Sequence, residues 1–364
     1  MPEPLHIAFF GSSLVSSYWN GAATYYRGLL QALHRRGHRI TFFEPDAFGR
    51  QRHRDIDDPP WAQVVVYPGV GEAGVTAALQ QARGADVVVK ASGVGVFDLL
   101  LEREVLALRS ERTTVLFWDV DAPATLERVA ADHADPFRSL VPHYDLVLTY
   151  GGGPRVVDAY RGLGAQDCIP VYNALDPATH HPVKAETRLA ADLGFLGNRL
   201  PDREARVDAF FFDAARRAPE RSFLLGGSGW EADAMPANVR LLGHVSTSDH
   251  NPFNCSTRMV LNVTRDSMVR FGWSPPTRVF EAAGAGACLV TDAWEGIADF
   301  LEPGREVLVA EDGEAVARYL HDVGSERAAA IGARARQRLL RDQTYDHRAL
   351  QVEQLLQART SLAA

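Results

Sequence analysis

The sequence predicts an α/β protein with two doubly wound parallel sheets. Short β-rich runs alternate with helical patterns along the whole chain, which is the order expected when helices connect parallel strands. Several of these runs are continuously apolar, as in Val87–Val89, and this is typical of strands that are covered on both faces. A length of 364 residues corresponds to about two domains at ~150 residues each.

The first series begins with a strand over Leu5–Phe10, which ends at Gly11. A helical pattern follows over residues 19–36, and Gly37 supplies its C-cap. Further strands of this half are predicted at 38–44, 63–67, 86–90, 113–118 and 145–149. Helical stretches lie between most of them, so the first half predicts one complete doubly wound domain.

A second series starts near Asp192. Its strands are predicted at 192–196, 221–225, 239–242, 258–262, 287–291 and 307–309, and its helices at 202–217, 276–283 and 314–323. Two more helical patterns, 326–341 and 346–359, close the chain. The two prolines and polar residues of 176–183 make this segment the predicted linker between the series.

Composition excludes several classes of protein. There are 38 Lys and Arg against 46 Asp and Glu, a net charge of −8, so nucleic acid is not an expected partner. Three widely spaced cysteines indicate a reducing compartment. The first apolar run is too short for a signal peptide or a membrane span. We therefore expect a cytoplasmic protein without a transmembrane segment.

The most informative stretch is Ser274–Asp292, a short helix followed at once by a strand. Arg278 and Glu281 are three residues apart and can project from one helical face. A helix start holds anions through its free N–H groups, and a carboxylate one turn later can accept hydrogen bonds from a ribose diol. The spacing alone equally allows an ordinary ion pair on the surface of a helix.

Two glycine-containing loops follow strands in the same half. In the first, Gly197 and Asn198 allow a phosphate to approach the backbone, and Arg199 or Arg203 can neutralise it. In the second, the backbone amides of Gly227 and Ser228 can hold a nucleotide. Plain turns with solvated arginines remain the alternative, and no Gly-Lys-Ser/Thr of a Walker A loop follows.

An Asp-x-Asp pair, Asp119 and Asp121, follows the strand 113–118. Such carboxylates can hold a divalent cation on a diphosphate. Because the pair lies in the first half, whereas the nucleotide signals lie in the second, we favour an acid facing the ligand at Asp119 and a helix N-cap at Asp121.

The stretch 277–287 followed by Val290–Asp292 resembles the C-terminal signature of group-1 glycosyltransferases of GT-B fold. It is most similar to the branch related to the spore-maturation protein CgeB. Segments that match this branch are Phe195–Leu200, Leu225–Gly229, Leu242–Val245, Val260–Asn262, Trp118–Pro123 and Tyr144–Tyr150. The resemblance covers nearly the whole chain.

The resemblance implies specific roles in binding the donor. Glu281 would hold the ribose hydroxyls, with Thr277 and Arg278 beside the phosphates. His244 and Val245 occupy the place where this family contacts the base through its backbone. Many members carry a further glutamate eight positions before Glu281 that touches the sugar, but Trp273 stands there in this chain.

The sequence thus predicts a GT-B-like glycosyltransferase whose two Rossmann-like domains face a cleft. Residues 1–178 would bind an unidentified acceptor, residues 179–342 a nucleoside-diphosphate sugar, and residues 343–364 would form a helix that returns to the first domain. No cofactor and no metal are expected, since Arg278 and helix amides can stabilise the leaving diphosphate. Asp119 is the candidate base if the reaction inverts.

Two alternatives remain from the sequence. One is a protein that binds a nucleotide or a sugar on a GT-B scaffold without catalysis, which Trp273 favours. The other is a GT-B epimerase that acts on a nucleotide sugar without an acceptor.

Overall fold

The structure is a computed structural model that describes residues 3–18, 20–231 and 235–363. Two compact units are present. Met1–Tyr172 and Tyr345–Ala364 form the N-terminal unit, and Asn173–Thr344 form the C-terminal unit. None of the helices in the described ranges is long and apolar enough to cross a membrane.

The N-terminal unit contains one parallel sheet of seven strands in the order β3-β2-β1-β4-β5-β6-β7. Its strands are β1 His6–Phe10, β2 Arg39–Asp46, β3 Ala62–Pro68, β4 Val87–Ala91, β5 Thr114–Asp119, β6 Leu146–Thr149 and β7 Cys168–Pro170. Ile7 of β1 lies opposite Ile40 on one side and Val87 on the other. The strand order reverses there, as in a doubly wound fold.

Helices cover this sheet: α1 Ala23–Arg35, α2 Glu72–Gln81, α3 Asp98–Glu104, α4 Ala122–Ala131, α5 Phe137–Leu140 and α6 Pro154–Gly162. Helix α1 ends where predicted, with Gly37 at a φ of +101°. It begins at Ala23, four residues later than Trp19, which lies outside the described residues. The Asn20 amide donates to the carbonyls of Ser13 and Ser16 and holds the preceding segment as a loop.

The C-terminal unit contains a second parallel sheet of six strands in the order β10-β9-β8-β11-β12-β13. These strands are β8 Ala191–Leu196, β9 Phe223–Gly226, β10 Val239–Gly243, β11 Thr257–Asn262, β12 Cys288–Asp292 and β13 Leu308–Ala310. Apolar residues of β8, β11 and β12 form the centre of its core. Two doubly wound parallel sheets with interleaved helices confirm the predicted fold class.

The helices of the C-terminal unit are α7 Glu204–Val207, α8 Asp213–Arg217, α9 His250–Ser256, α10 Asp266–Phe271, α11 Thr277–Gly284, α12 Ile297–Phe300, α13 Gly313–Asp322 and α14 Ser325–Asp342. A π-helical turn, Asp208–Phe212, joins α7 to α8, so the helix predicted over 202–217 is interrupted. Phe210 and Phe211 of that turn are both buried.

The predicted linker 176–183 lies inside the C-terminal unit and is ordered by its own side chains. Asp176 accepts hydrogen bonds from the Thr179 hydroxyl at 2.6 Å and from the Ala178 amide at 3.1 Å. His180 is buried at the end of this turn. Most other residues of the segment are exposed, and its polar, proline-containing sequence forms a compact turn.

The last helix, α15 Tyr345–Ala363, returns to the N-terminal unit and packs against α1, as predicted. Its buried positions Tyr345, Ala349, Val352 and Leu356 recur at helical spacing. Leu350, expected on this stripe, is exposed instead. Glu353 forms an ion pair with Arg36, which fixes the register of the two helices.

Gly28 of α1 faces the ring of Tyr345, and a Cβ atom there would lie 2.2 Å from two ring carbons. We expect Gly28→Ala to lower the free energy of unfolding by about 1–3 kcal/mol, because overpacking forces the helices apart. Urea denaturation measures this. Gly162→Ala is the control, since open space surrounds that helical glycine. Equal stability of the two variants would contradict close packing at Gly28.

Candidate functional site

Two loops at the carboxyl end of the C-terminal sheet are joined by backbone contacts. Gly197 follows β8 and donates to the Gly226 carbonyl at 2.8 Å. Gly227 follows β9 with a φ of +134°, and a Cβ atom there would lie 2.1 Å from the Gly197 carbonyl oxygen. Only glycine fits this approach. Both glycines predicted for the site therefore serve the close packing of these loops.

The polar residues of the two loops bind each other. The Ser228 amide donates to Asn198 Oδ1 at 2.9 Å, and the Arg199 amide donates to the Ser228 carbonyl at 3.0 Å. The Trp230 indole donates to the Gly197 carbonyl at 2.8 Å. Asn198 and Ser228, both predicted to contact the ligand, thus hold the loops in place.

Two arginines meet where β8 ends. Arg203 donates to the Asn198 carbonyl at 2.6 Å, and its guanidinium lies 5.5 Å from the centre of the Phe195 ring. Arg278 of α11 donates to the Leu196 carbonyl at 3.1 Å. Burial, followed by the charge of Arg278, lowers the pKa of Arg203 to about 10. With this pKa, Arg203 stays cationic at neutral pH, so the end of β8 attracts an anion.

Arg199 lies close to two glutamates. Its guanidinium forms an ion pair with Glu204 at 2.5 Å and lies 3.9 Å from Glu231. The hydrogen bond to Glu204 raises the pKa of Arg199. Of the arginines predicted to neutralise a phosphate, Arg203 and Arg278 come together, whereas Arg199 is engaged with carboxylates at the surface.

Helix α11 carries Arg278 and Glu281 as a buried pair. Pro276 precedes its first residue, Thr277, and sets the extended entry to the helix. Arg278 Nη1 lies 3.0 Å from Glu281 Oε2, with side-chain exposures of 15% and 9%. The pair is therefore no ordinary surface interaction, which was the alternative that the spacing alone allowed.

Two histidines flank the Glu281 carboxylate, and both were missed in the sequence. His180 Nε2 lies 4.0 Å from Oε1, and His250 Nδ1 lies 3.9 Å from Oε2. Burial alone would raise the pKa of Glu281, but Arg278 and the two histidines outweigh it and lower the pKa. Burial lowers the pKa of His250 to about 4. At neutral pH, the ionised carboxylate of Glu281 therefore lies beside the neutral imidazole of His250.

Residues after β10 form another edge of the site region. His244 is exposed, whereas Val245 is partly buried and packs with Leu196 and Phe253. A Cβ atom at Gly226 would lie 2.7 Å from the Val245 side chain. This chain segment is therefore fixed against the ends of β8 and β9.

Trp273 lies before α11 with a φ of +38°, an uncommon conformation for a residue other than glycine. Its amide donates to the Glu295 carbonyl at 2.6 Å, and its indole donates to Asp299 at 2.6 Å. The ring also packs closely over Gly296. Contacts with the segment 295–299 thus hold the side chain.

Asp119, the predicted candidate base, lies in a buried network of hydrogen bonds. It ends β5 with no exposed surface, and Oδ1 accepts hydrogen bonds from Ser92 at 2.7 Å and Thr125 at 3.1 Å. Oδ2 accepts from the Tyr160 hydroxyl. These donors occupy the carboxylate, which has no lone pair directed to solvent. These contacts hold the end of β5 to its neighbours, and a role of Asp119 as a base stays a prediction.

Asp121 occupies the N-cap position of α4, and Pro123 lies in the first turn, as expected of a helix start. Within residues 3–18, 20–231 and 235–363, no three His, Cys, Asp or Glu side chains are grouped so that they could hold a metal ion. Asp119 and Asp121 therefore belong to no such group within the described residues.

The C-terminal unit therefore offers two kinds of binding group, on α11 and at the start of α7, near the end of β8. Arg203 and Arg278 supply positive charge for an anion. Glu281, with its two histidines, supplies buried acceptors and donors for hydroxyl groups. A phosphorylated sugar or nucleotide carries both complementary features.

Comparison with known families gives a match for part of the chain. Residues 203–355 match a family model described as glycosyl transferase-like. This segment contains Arg203, His250, Arg278 and Glu281. No curated protein sequence matches the chain.

Solved structures match over almost the whole chain. HepE of Anabaena, in complex with UDP and glucose, has 15% identity and a TM-score of 0.68, covering 97% of this chain and 100% of that one. Sucrose-phosphate synthase of Thermosynechococcus elongatus has 15% identity and a TM-score of 0.69, covering 98% and 100%. An α-glucosyltransferase in complex with UDP and a 13-mer DNA has 11% identity and a TM-score of 0.71, covering 98% and 100%. These similarities show the GT-B fold.

Proposed function

We propose that this protein is a glycosyltransferase that moves a sugar from a nucleoside-diphosphate sugar to an acceptor hydroxyl. One observation carries the proposal: Arg278 and Glu281 are buried together on α11, with Arg203 beside them. The glycosyl transferase-like match covers all three residues. Structural neighbours that contain UDP support a nucleotide sugar as the donor.

In this proposal Glu281 accepts hydrogen bonds from the ribose, and Arg203 with Arg278 binds the diphosphate. As the bond to the anomeric carbon breaks, negative charge grows on the leaving diphosphate. Guanidinium groups that are already held in place by the Asn198 and Leu196 carbonyls stabilise this charge without reorganising. The same residues thus serve binding and departure of the nucleotide.

Binding without catalysis is the second candidate, and Trp273 favours it. The resemblance implies a sugar-binding glutamate at this position, whereas the indole is bound to Asp299. A nucleotide-sugar epimerase would use the same donor site without an acceptor. Both alternatives share the nucleotide site and differ in the product.

Nucleotide binding and turnover separate these functions. Nucleoside diphosphates, tested with UDP first, should raise the apparent melting temperature. At a ligand concentration of 100 times Kd, binding adds about 2.7 kcal/mol to the free energy of unfolding. Incubation with radiolabelled UDP-sugars and a panel of hydroxyl acceptors should then release UDP and label an acceptor. A melting temperature unchanged by every nucleoside diphosphate contradicts the donor site, and binding without turnover favours the second candidate.

Chelation of divalent cations should leave the transfer rate unchanged. The reason is that Arg203 and Arg278 supply the charge that a metal ion would otherwise bring to the diphosphate. The measurement is UDP release with and without EDTA. Loss of activity that Mn²⁺ restores would contradict this expectation and return attention to Asp119 and Asp121.

We also place the chain in the CgeB-like branch, because its segments 118–123 and 277–287 resemble that branch. A cytoplasmic location and the absence of a cofactor complete the proposal. They are supported by the three dispersed cysteines and by a reaction that needs only acid–base and electrostatic groups.

A further inference from the structure

The loop after β2 combines an exposed aromatic ring with a run of basic residues. Residues 48–54 read Phe-Gly-Arg-Gln-Arg-His-Arg, with no acidic residue, in a chain whose net charge is −8. The loop lies at the carboxyl end of the N-terminal sheet, which is the end where doubly wound sheets bind their ligands. The function proposed above gives these residues no role.

Phe48 is held in an uncommon backbone conformation while its side chain stays open to solvent. Its φ is +55°, a costly value for a bulky residue, which persists only where the surroundings impose it. The ring lies against Gly95, where a Cβ atom would be 2.6 Å from a ring carbon. The residue is nevertheless 58% exposed. A fixed and exposed aromatic ring offers an apolar surface to a ligand.

Arg50 is buried beside the Phe48 ring and ties the loop to its neighbours. Its guanidinium lies 5.1 Å from the centre of that ring. It donates to the carbonyl of Ser12 at 3.2 Å and to that of Val94 at 3.3 Å, which belong to the loops after β1 and β4. Three loops are therefore joined at this end of the sheet, and the exposed residues after Arg50 have a fixed base.

Two exposed side chains of the loop meet over the glycine that follows Phe48. Arg52 Nη2 and His53 Nδ1 lie 3.5 and 3.6 Å from the position that a Cβ atom of Gly49 would take. The His53 ring is held by stacking on Tyr18 at 4.1 Å, and its Nδ1 atom lies 2.9 Å from the Gly49 carbonyl oxygen. Arg52 is therefore placed next to a fixed aromatic ring and a fixed imidazole.

Arg52 forms no ion pair with a carboxylate among the described residues. Three aspartates follow the loop. Asp55 and Asp58 are each paired with another arginine, and Asp57 is exposed to solvent, which screens its charge. An unpaired guanidinium binds a phosphate or a carboxylate through two parallel hydrogen bonds. The loop thus offers one free cationic fork beside one apolar surface.

We propose that the loop 48–54 binds the acceptor and that the acceptor is a hydroxyl compound carrying a phosphate or a carboxylate. Arg52 binds the anionic group, and Phe48 packs against an apolar face of the same molecule. An anion that approaches a protein of net charge −8 needs a local basic site of this kind. The inference rests on the proposed transfer function and deepens it, because that function leaves the acceptor unidentified.

The test offers the full chain a labelled UDP-sugar and matched sets of acceptors, namely hexoses, the corresponding hexose phosphates and the corresponding uronic acids. Within each set, an anionic acceptor should have a KM about tenfold lower than its neutral counterpart. Arg52→Gln should abolish this difference. Phe48→Ala should raise the KM of neutral and anionic acceptors alike, and added NaCl should raise the KM of anionic acceptors only.

Arg112→Gln is the matched control, because Arg112 is an exposed arginine that precedes β5 at the other end of the same sheet. It should behave as wild type. Thermal unfolding and UDP affinity check that each variant is folded. If neutral and anionic acceptors have equal KM values, or if Arg52→Gln behaves like Arg112→Gln, the inference is overturned while the proposed function stands. If no acceptor of either charge is labelled, the proposed function fails, and the inference fails with it.

Discussion

Replacing Arg203 and Arg278 together with methionine is expected to weaken UDP binding by about 10²- to 10⁴-fold. Each charge-assisted hydrogen bond to a phosphate is worth about 1.5–3 kcal/mol, and about 1.4 kcal/mol corresponds to a factor of ten. Methionine keeps an unbranched apolar side chain in place of Arg203, whose guanidinium lies over the Phe195 ring. Calorimetric titration measures the loss, and the affinity for uridine should change little because it carries no phosphate.

Arg199→Met is the matched control from the same loop. Its guanidinium is paired with Glu204 at 2.5 Å and remains partly exposed, so its loss should leave UDP binding nearly unchanged. If Arg199→Met weakens UDP binding as much as the double variant does, the diphosphate must bind at Arg199. Equal losses for UDP and uridine in the double variant would indicate damage to the fold.

The stability of the ligand-free Arg203→Met single variant gives an independent check. The pKa of Arg203 falls from its ordinary value of 12.5 to about 10 in the folded protein. A base with a lowered folded-state pKa destabilises the fold below that pKa, and the penalty is relieved only as pH rises beyond it. At pH 7 the penalty is on the order of 3 kcal/mol. The Arg203→Met variant should therefore melt no lower than wild type. The double variant should melt lower than this single variant, because the loss of Arg278 leaves Glu281 buried without its cationic partner.

Much of the fold could be predicted because the signals are local. The apolar strands, the Gly37 cap and the helical pattern of the last segment each depend on a few neighbouring residues. Strand β7, Cys168–Pro170, was missed because three residues that end in proline carry almost no strand pattern. The π-helical turn before α8 was missed for a different reason, since packing of Phe210 and Phe211 decides it.

The residues of the candidate site also fall into two groups: those that local spacing predicts and those that only the tertiary structure brings together. Arg278 and Glu281 share one helix, so their spacing brought them together in the sequence analysis. His180 and His250 reach Glu281 from distant segments, and only the tertiary structure shows this. Asp119 is the reverse case. Its place at a strand end suggested chemistry, but Ser92, Thr125 and Tyr160 surround it from other elements, and no local pattern reveals that.

Glu281→Ala is expected to weaken UDP binding by about 10- to 100-fold. A carboxylate that accepts a hydrogen bond from a ribose hydroxyl contributes about 1.5–3 kcal/mol, and Glu281 is positioned for this because its Oε2 atom has no hydrogen-bond partner among the described residues. The lowered pKa of Glu281 keeps the carboxylate ionised at neutral pH. Calorimetric titration with UDP measures the effect.

Loss of this carboxylate also leaves Arg278 buried without its partner, which by itself destabilises the fold. Glu281→Gln separates the two effects, since the amide keeps the shape of the side chain and one acceptor oxygen. It should fold like wild type and lose less affinity than the alanine variant. Glu314→Ala, at an exposed glutamate of the same unit, controls for charge. If Glu281→Gln and Glu281→Ala both bind UDP as wild type does while remaining folded, the ribose is held elsewhere, and the buried pair on α11 serves only to fix that helix to the end of β8.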